Sequence, residues 1–256
     1  MSAHIFAEEK QKGGVGKTTT TVNLASSLAA AQKRVLVVDL DPQGNATTGS
    51  GIDKSALHLG VYQVLLGEAD AAQATVFCEN GGYHLLAANR ELAGAEIELV
   101  QEIAREMRLK NALASIANQY DIILIDCPPT LTLLTLNGLV AAQGVIVPMV
   151  CEYYALEGIS DLVATIRKIR QAINPQLDIV GIVRTMYDSR SRLAVEVSAQ
   201  LQQHFANQLF TTTIPRNIRL AEAPSHGMPA LAYDAKAKGT LAYQALAQEL
   251  QERLTS

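Results

Sequence analysis

The chain contains no tryptophan, and aromatic residues make up only 5% of its 256 positions. Cysteine is also scarce: Cys78, Cys127 and Cys151 are odd in number, widely spaced and form no CxxC pair. That pattern argues against a structural zinc and against a disulfide framework, and three reduced, mostly buried thiols are expected instead. No apolar run reaches the ~18–20 residues needed to cross a bilayer. No basic segment followed by an apolar core opens the chain, so neither a membrane span nor a secretory signal is expected. Positive charge is not in surplus either. The net charge is −4, so any nucleic-acid binding has to come from a local patch. Internal repeats, low-complexity tracts and Pro/Ser-rich linkers are all lacking. One domain over residues 1–256 is expected, long enough to bury a sizeable core.

What the chain does have is alternation. β-rich apolar runs at 34–40, 83–88, 120–127, 144–150, 177–183 and 209–214 are separated by amphipathic or alanine-rich stretches. The latter cover 17–31, 92–118, 155–173, 192–206 and 239–253. Several of the strands are apolar on both faces, as in a parallel sheet covered by helices on both sides. The pattern predicts an α/β doubly wound fold with its ligand site at the carboxyl ends of the strands.

The segment "QKGGVGKT" (11–18) nearly matches a G-x-x-x-x-G-K-[ST] phosphate loop, with Gln11 in place of the first Gly. Gly13, Gly14 and Gly16 permit backbone conformations that turn N–H groups inward, and no side chains block an anion there. The helix expected from 17 adds an N-terminus that favours anions. Lys17 is placed to reach terminal phosphates and the Thr18 hydroxyl to ligate Mg²⁺. A Gly-rich turn before an ordinary helix is the plainer alternative. Later strands weaken it, because "VLVVDLDPQGN" ends at Asp39 and Asp41 and "IILIDCPP" ends at Asp126. Carboxylates spaced i, i+2 point the same way while strand geometry lasts. A single strand-end Asp is often only a turn or helix cap; three of them beside a phosphate loop make that plainer reading a poor one for the set.

The segments "KGGVGKTTTTVNLA", "VLVVDLDPQGNATTG", "YDIILIDCPPTL", "CEYYALEGISDL" and "IPRNIRLAEAPSHGMPALAYD" resemble the ParA/Soj-type chromosome and plasmid partitioning ATPases. The resemblance runs from about residue 11 to 240. It implies a deviant Walker A box, ATP and Mg²⁺ as ligands, and a weak intrinsic ATPase. It assigns nucleotide binding to Lys12, Gly13, Gly14, Val15, Gly16, Lys17, Thr18 and Thr19. Lys12 would be the signature lysine that reaches the partner's phosphates in an ATP-sandwiched homodimer. Lys12, Lys17 and Asp41 would be catalytic, with Asp41 positioning the hydrolytic water. Thr18, Asp39 and Asp126 would support the metal, and Pro215 and Asn217 would lie against the adenine. A second lysine beside the phosphates suits the physics, since it offsets charge left by Mg²⁺ and Lys17.

The same resemblance implies non-specific binding of double-stranded DNA by the ATP dimer, a ParB-type partner protein, and a cytoplasmic, nucleoid-associated location. Residues 184–222 carry five arginines against three acids, a local charge of +2. Arg190 and Arg219, with Arg192 and Arg216 behind them, are the candidate phosphate contacts, and such contacts weaken steeply with salt. About ten residues precede the loop, which leaves no room for an N-terminal helix-turn-helix, so operator-specific repression is not expected. The end "YQALAQELQERLTS" lacks the basic face of a MinD-type membrane helix. The cysteines do not offer the pairing of iron–sulfur relatives. Two alternatives stand beside this reading: a metabolic ATP-dependent enzyme on the same fold, and a nucleotide-binding scaffold with impaired hydrolysis.

The second alternative comes from "IFAEEKQKGG". Glu8, Glu9 and Lys10 stand where relatives carry two apolar residues and an Asn. In a central strand Glu8 and Glu9 point to opposite faces, and an unpaired buried carboxylate is costly or takes up a proton. The strand could shorten to about Ala3–Ala7, Lys10 or another cation could pair with one Glu, or the site could be weakened.

Overall fold

In the computed structural model, which describes residues 3–9 and 14–255, the apolar runs form a single sheet of eight strands. These are β1 (His4–Glu8), β2 (Val35–Asp39), β3 (Thr75–Cys78), β4 (Tyr83–Leu86), β5 (Ile122–Asp126), β6 (Gly144–Val150), β7 (Asp178–Tyr187) and β8 (Leu209–Pro215). Their order is β3-β4-β2-β5-β1-β6-β7-β8. Every neighbouring pair is parallel except β3 with β4. Parallel neighbours need crossovers. Helix α1 (Lys17–Ala30) supplies the one from β1 to β2, and helices Leu133–Ala141, Ala155–Ala172 and Arg192–His204 supply those from β5 through β8. This is the expected doubly wound α/β fold, with β1 at its centre.

Strand alternation sends successive residues to opposite faces. Phe6, Val35, Val37 and Leu124 pack with Leu24 and Leu28 of α1 and with Tyr243 and Leu246 of helix Lys238–Thr255. Ala7, Leu36, Val38 and Ile125 join the other face, with Leu139, Ile159 and Leu162. Both faces are covered, so the strands read as continuous apolar runs.

Two expectations change. The stretch 92–118 is not one helix but Leu92–Glu98 and Arg108–Ala114 with 3₁₀ turns between them. Glu102 is extended and Ala104 adopts φ 52, a left-handed conformation that ends helical propagation. Strand β7 continues past 183 through Arg184, Thr185, Met186 and Tyr187, where Arg184 and Thr185 interrupt the apolar run that marks the strand.

Packing between the neighbouring strands β7 and β8 requires glycine at 181. A Cβ there would overlap the ring of Phe210, which is fully buried and lies under the Arg253 guanidinium. Gly181→Ala is therefore expected to lower stability by about 1–3 kcal/mol through overpacking. A reduced urea midpoint at unchanged slope is the expected readout, and an unchanged midpoint would contradict this packing.

Candidate functional site

The site begins where β1 runs out. Gly14 and Gly16 have φ 77 and 85, conformations that carry little penalty only without a Cβ. Gly16 caps α1 without any side-chain hydrogen bond, and the first turn contains no acid. The first-turn amides and the positive end of the helix dipole are therefore available to an anion. Val15 between the two glycines is buried, as is Lys17.

The first turn of α1 is tied to the ends of the central strands. Thr18 Oγ1 donates to Asp126 Oδ2 at 2.7 Å, and Thr21 Oγ1 donates more weakly to Asp126 Oδ1 at 3.4 Å. Lys17 Nζ donates to the Cys127 carbonyl at 3.0 Å. Asp39 Oδ2 accepts from the Thr47 amide at 2.9 Å and its hydroxyl at 2.8 Å, while Oδ1 accepts from the Asp41 amide at 3.1 Å. Asp41 lies beyond β2, which ends at Asp39, and its charge adds to the burial that raises Asp126. It sits half-buried in the following turn, where its Oδ1 accepts from the Gln43 amide.

Register brings three carboxyls into one row. Asp39 lies opposite Asp126 and Asp126 opposite Glu8, across β2, β5 and β1. Each stands two residues beyond Val37, Leu124 or Phe6, which face α1, so all three point to the α1 side. Like charges directly opposite on neighbouring strands repel. Burial, and then the Asp126 charge, push Asp39 up to about 7. Burial raises Asp126 to about 6, against the Thr18 hydrogen bond and the Lys17 charge.

The strand does not shorten to release Glu8, and pairing of either acid with Lys10 falls outside the described residues. The strand keeps Glu8, and among the described residues no cation lies within ion-pair distance of either carboxyl. Both residues are buried, and both Glu8 oxygens and Glu9 Oε2 lack a hydrogen-bond partner among the described residues. Burial is the main reason that Glu8 is held well above its ordinary range, followed by the charge of Asp126. Burial lifts Glu9 to about 7, opposed by Lys17. Lys10, Gln11, Lys12 and Gly13 lie outside the described residues.

Among the described residues no set of three or more His, Cys, Asp or Glu side chains is arranged to enclose a metal. Two carboxylates and a hydroxyl are instead the partial shell that Mg²⁺ takes when phosphates and water complete it. The charge deficit of the row fits a divalent cation.

Beside the loop opens a cleft of about 450 Å³. Gly16, Thr19, Thr185, Met186, Pro215 and Asn217 are among its lining residues. The structure thus brings Pro215 and Asn217 to the same cleft as the phosphate loop. Arg216 lines it too and is itself exposed. Arg190 and Arg192 stand clear at 89% and 94% side-chain exposure, each beside one acid, Asp188 and Glu196. Arg219 is more engaged, between Glu222 and Asp234.

Sequence reasoning missed Thr21, Thr47 and Thr185. The run "KTTTT" is a signal for the first, because Thr21 follows Thr18 at helical spacing on the side that meets Asp126. Nothing local points to Thr185. Among the described residues no helix is long and apolar enough to cross a membrane.

Comparison with known proteins places this geometry. A family profile described as "AAA domain" matches residues 3–179. The chain is 48% identical over 246 residues to the sporulation initiation inhibitor protein Soj of Bacillus subtilis, covering 96% of this chain and 97% of that one. It is 47% identical over 258 residues to the chromosome partitioning protein ParA of Caulobacter vibrioides, covering 99% and 97%. Among solved structures it is similar to cobyrinic acid a,c-diamide synthase from Mycobacterium smegmatis with bound ADP and magnesium. The TM-score is 0.87 at 38% identity, covering 99% of this chain and 96% of that one.

The buried acids predict a pH dependence. Glu9 ordinarily titrates near 4.5 and in the fold near 7. Between those values the unfolded chain has released a proton that the folded chain retains, so stability falls as pH rises through this window. In chelator and without nucleotide, the double variant Glu8→Ile/Glu9→Ala is expected to melt above wild type at pH 8. The gap should narrow toward pH 5. Equal melting temperatures at pH 8, or a gap that widens on acidification, would contradict this.

Proposed function

The chain belongs to the family of Soj and ParA chromosome-partitioning ATPases, and from that premise we propose that it is an ATP-switched DNA-partitioning machine. In this reading it binds ATP with Mg²⁺, closes into a homodimer, and holds double-stranded DNA without reading its sequence. Slow hydrolysis, stimulated by a ParB-type partner, then releases the DNA. Its place is the cytoplasm, on the nucleoid. The observation that carries the reading is the contact of Thr18, at the end of a glycine-rich loop, with Asp126 at the end of a central strand.

Each residue then has a physical task. The loop from Gly13 to Thr19 cradles the phosphates, and Lys17 turns from the Cys127 carbonyl toward the terminal ones. Thr18 holds Mg²⁺, with Asp126 and Asp39 supporting its shell; the ion supplies charge neutralisation on the phosphates. Asp41, outside the buried row and half-exposed, positions the attacking water. Lys12 contributes its charge across the dimer, which couples assembly to the triphosphate. Pro215 and Asn217 flank the adenine. Arg190 and Arg192, both far more exposed than Arg219, meet DNA phosphates, with Arg219 and Arg216 in support.

One observation favours a second reading. The Mycobacterium smegmatis structure bears the name of a metabolic amidating enzyme at 38% identity. The partition reading has the higher identity of Soj and ParA on its side. Addition of cobyrinic acid with glutamine is expected to leave ATP turnover unchanged, and a strong acceleration would favour the enzyme.

Sedimentation tests the switch itself. Wild type is expected to be monomeric with ADP, dimeric with ATP, and DNA-bound only with ATP. Lys12→Ala should abolish the dimer and Asp41→Ala should trap it. Arg190→Ala/Arg192→Ala should weaken binding to all DNA sequences alike and flatten its salt dependence. Equal DNA binding with ADP and ATP would refute the proposal.

A further inference from the structure

We propose that Thr185 is a positioning residue that sets the conformation of the phosphate loop from the neighbouring strand. The inference rests on the nucleotide-site reading above. It starts from an irregularity in the sheet. Arg184 of β7 lies opposite Thr213 of β8 and Tyr187 opposite Pro215, so β7 uses one more residue than β8 over the same span. An extra residue of this kind is a bulge, which bends a strand and re-aims its side chains, often next to a functional site.

The bulge has a visible cost. Met186 has φ 49, one of three non-glycine residues with positive φ among those described. A side chain with a Cβ is unfavourable in that region, and such conformations persist where surrounding structure enforces them. What the bulge achieves is a contact made by Thr185. This residue is 2% exposed, and its hydroxyl donates to the Val15 carbonyl at 2.8 Å, across 170 positions of sequence.

Val15 stands between two left-handed glycines, the most permissive stretch of backbone at the site. The peptide joining Val15 to Gly16 is planar and trans, so its C=O and N–H point in opposite directions. A hydroxyl that holds the carbonyl toward β7 thereby directs the Gly16 N–H away from β7. Thr185 thus fixes one amide of the anion cradle without touching the anion. Thr185 and Met186 also both line the cleft beside the loop. One bulge therefore shapes that wall and holds the loop.

The test compares binding of Mg·ATP and Mg·tripolyphosphate, which has no base, to wild type, Thr185→Val and Thr185→Ser. The valine variant is expected to bind both ligands about tenfold more weakly, the scale of one buried hydrogen bond lost. Serine should restore both to within about threefold. Should the valine variant not fold, Thr185→Ala carries the same comparison. Loss of ATP binding alone would mean that Thr185 shapes only the base end, and would overturn the inference. So would unchanged binding, or a serine variant as weak as valine. Wild type that binds neither ligand would instead refute the nucleotide-site reading, and the inference with it.

Discussion

Three carboxyls in a row, Asp39, Asp126 and Glu8, on adjacent parallel strands and on one face of the sheet, are the constraint around which this site is arranged. With Glu9 they make four buried acids against one buried cation, Lys17, among the described residues. Such an imbalance is tolerated only where hydroxyls, amides and protons share the charge. Thr18, Thr21 and Thr47 do this for the two aspartates. For the Glu8 oxygens no hydrogen-bond partner lies within reach among the described residues. The α1 N-terminus adds its dipole at the same place. A centre with this deficit, open on the side of a glycine-rich loop, suits a cation that arrives with an anionic ligand.

The site's skeleton was legible because its signals are local. A glycine-rich run before a helix, and apolar strands ending in Asp, each declare themselves within about ten residues. The doubly wound topology follows from the same alternation. What stayed hidden depends on register or on distance. That Glu8 stands opposite Asp126 is a fact about β1 and β5 together, and the hydrogen bond from Thr185 to Val15 joins residues 170 positions apart in sequence. The break in 92–118 was missed because buried Leu92, Leu99 and Leu109 keep a helical look while the backbone between them changes direction.

The proposed cycle asks this arrangement to be sensitive to the terminal phosphate. Fold alone would not supply that, since the same architecture carries unrelated activities. The sensitivity lies in Lys17, which now satisfies a backbone carbonyl, and in Thr18, which now satisfies Asp126; both groups are held near the loop by bonds that a ligand can replace. The outward arginines are separate from this centre and are paired with acids of their own helix or turn. In the proposed function they become effective as a set, once two copies place them together.

The most direct measurement is a crystal structure with Mg²⁺ and a non-hydrolysable ATP analogue. The account predicts phosphates on the Gly14–Thr18 loop, Mg²⁺ beside the Thr18 hydroxyl with Asp126 and Asp39 behind it, and the base in the cleft near Pro215 and Asn217. A nucleotide bound elsewhere, or phosphates on the loop with Asp126 still closed on Thr18 and no metal between, would contradict it.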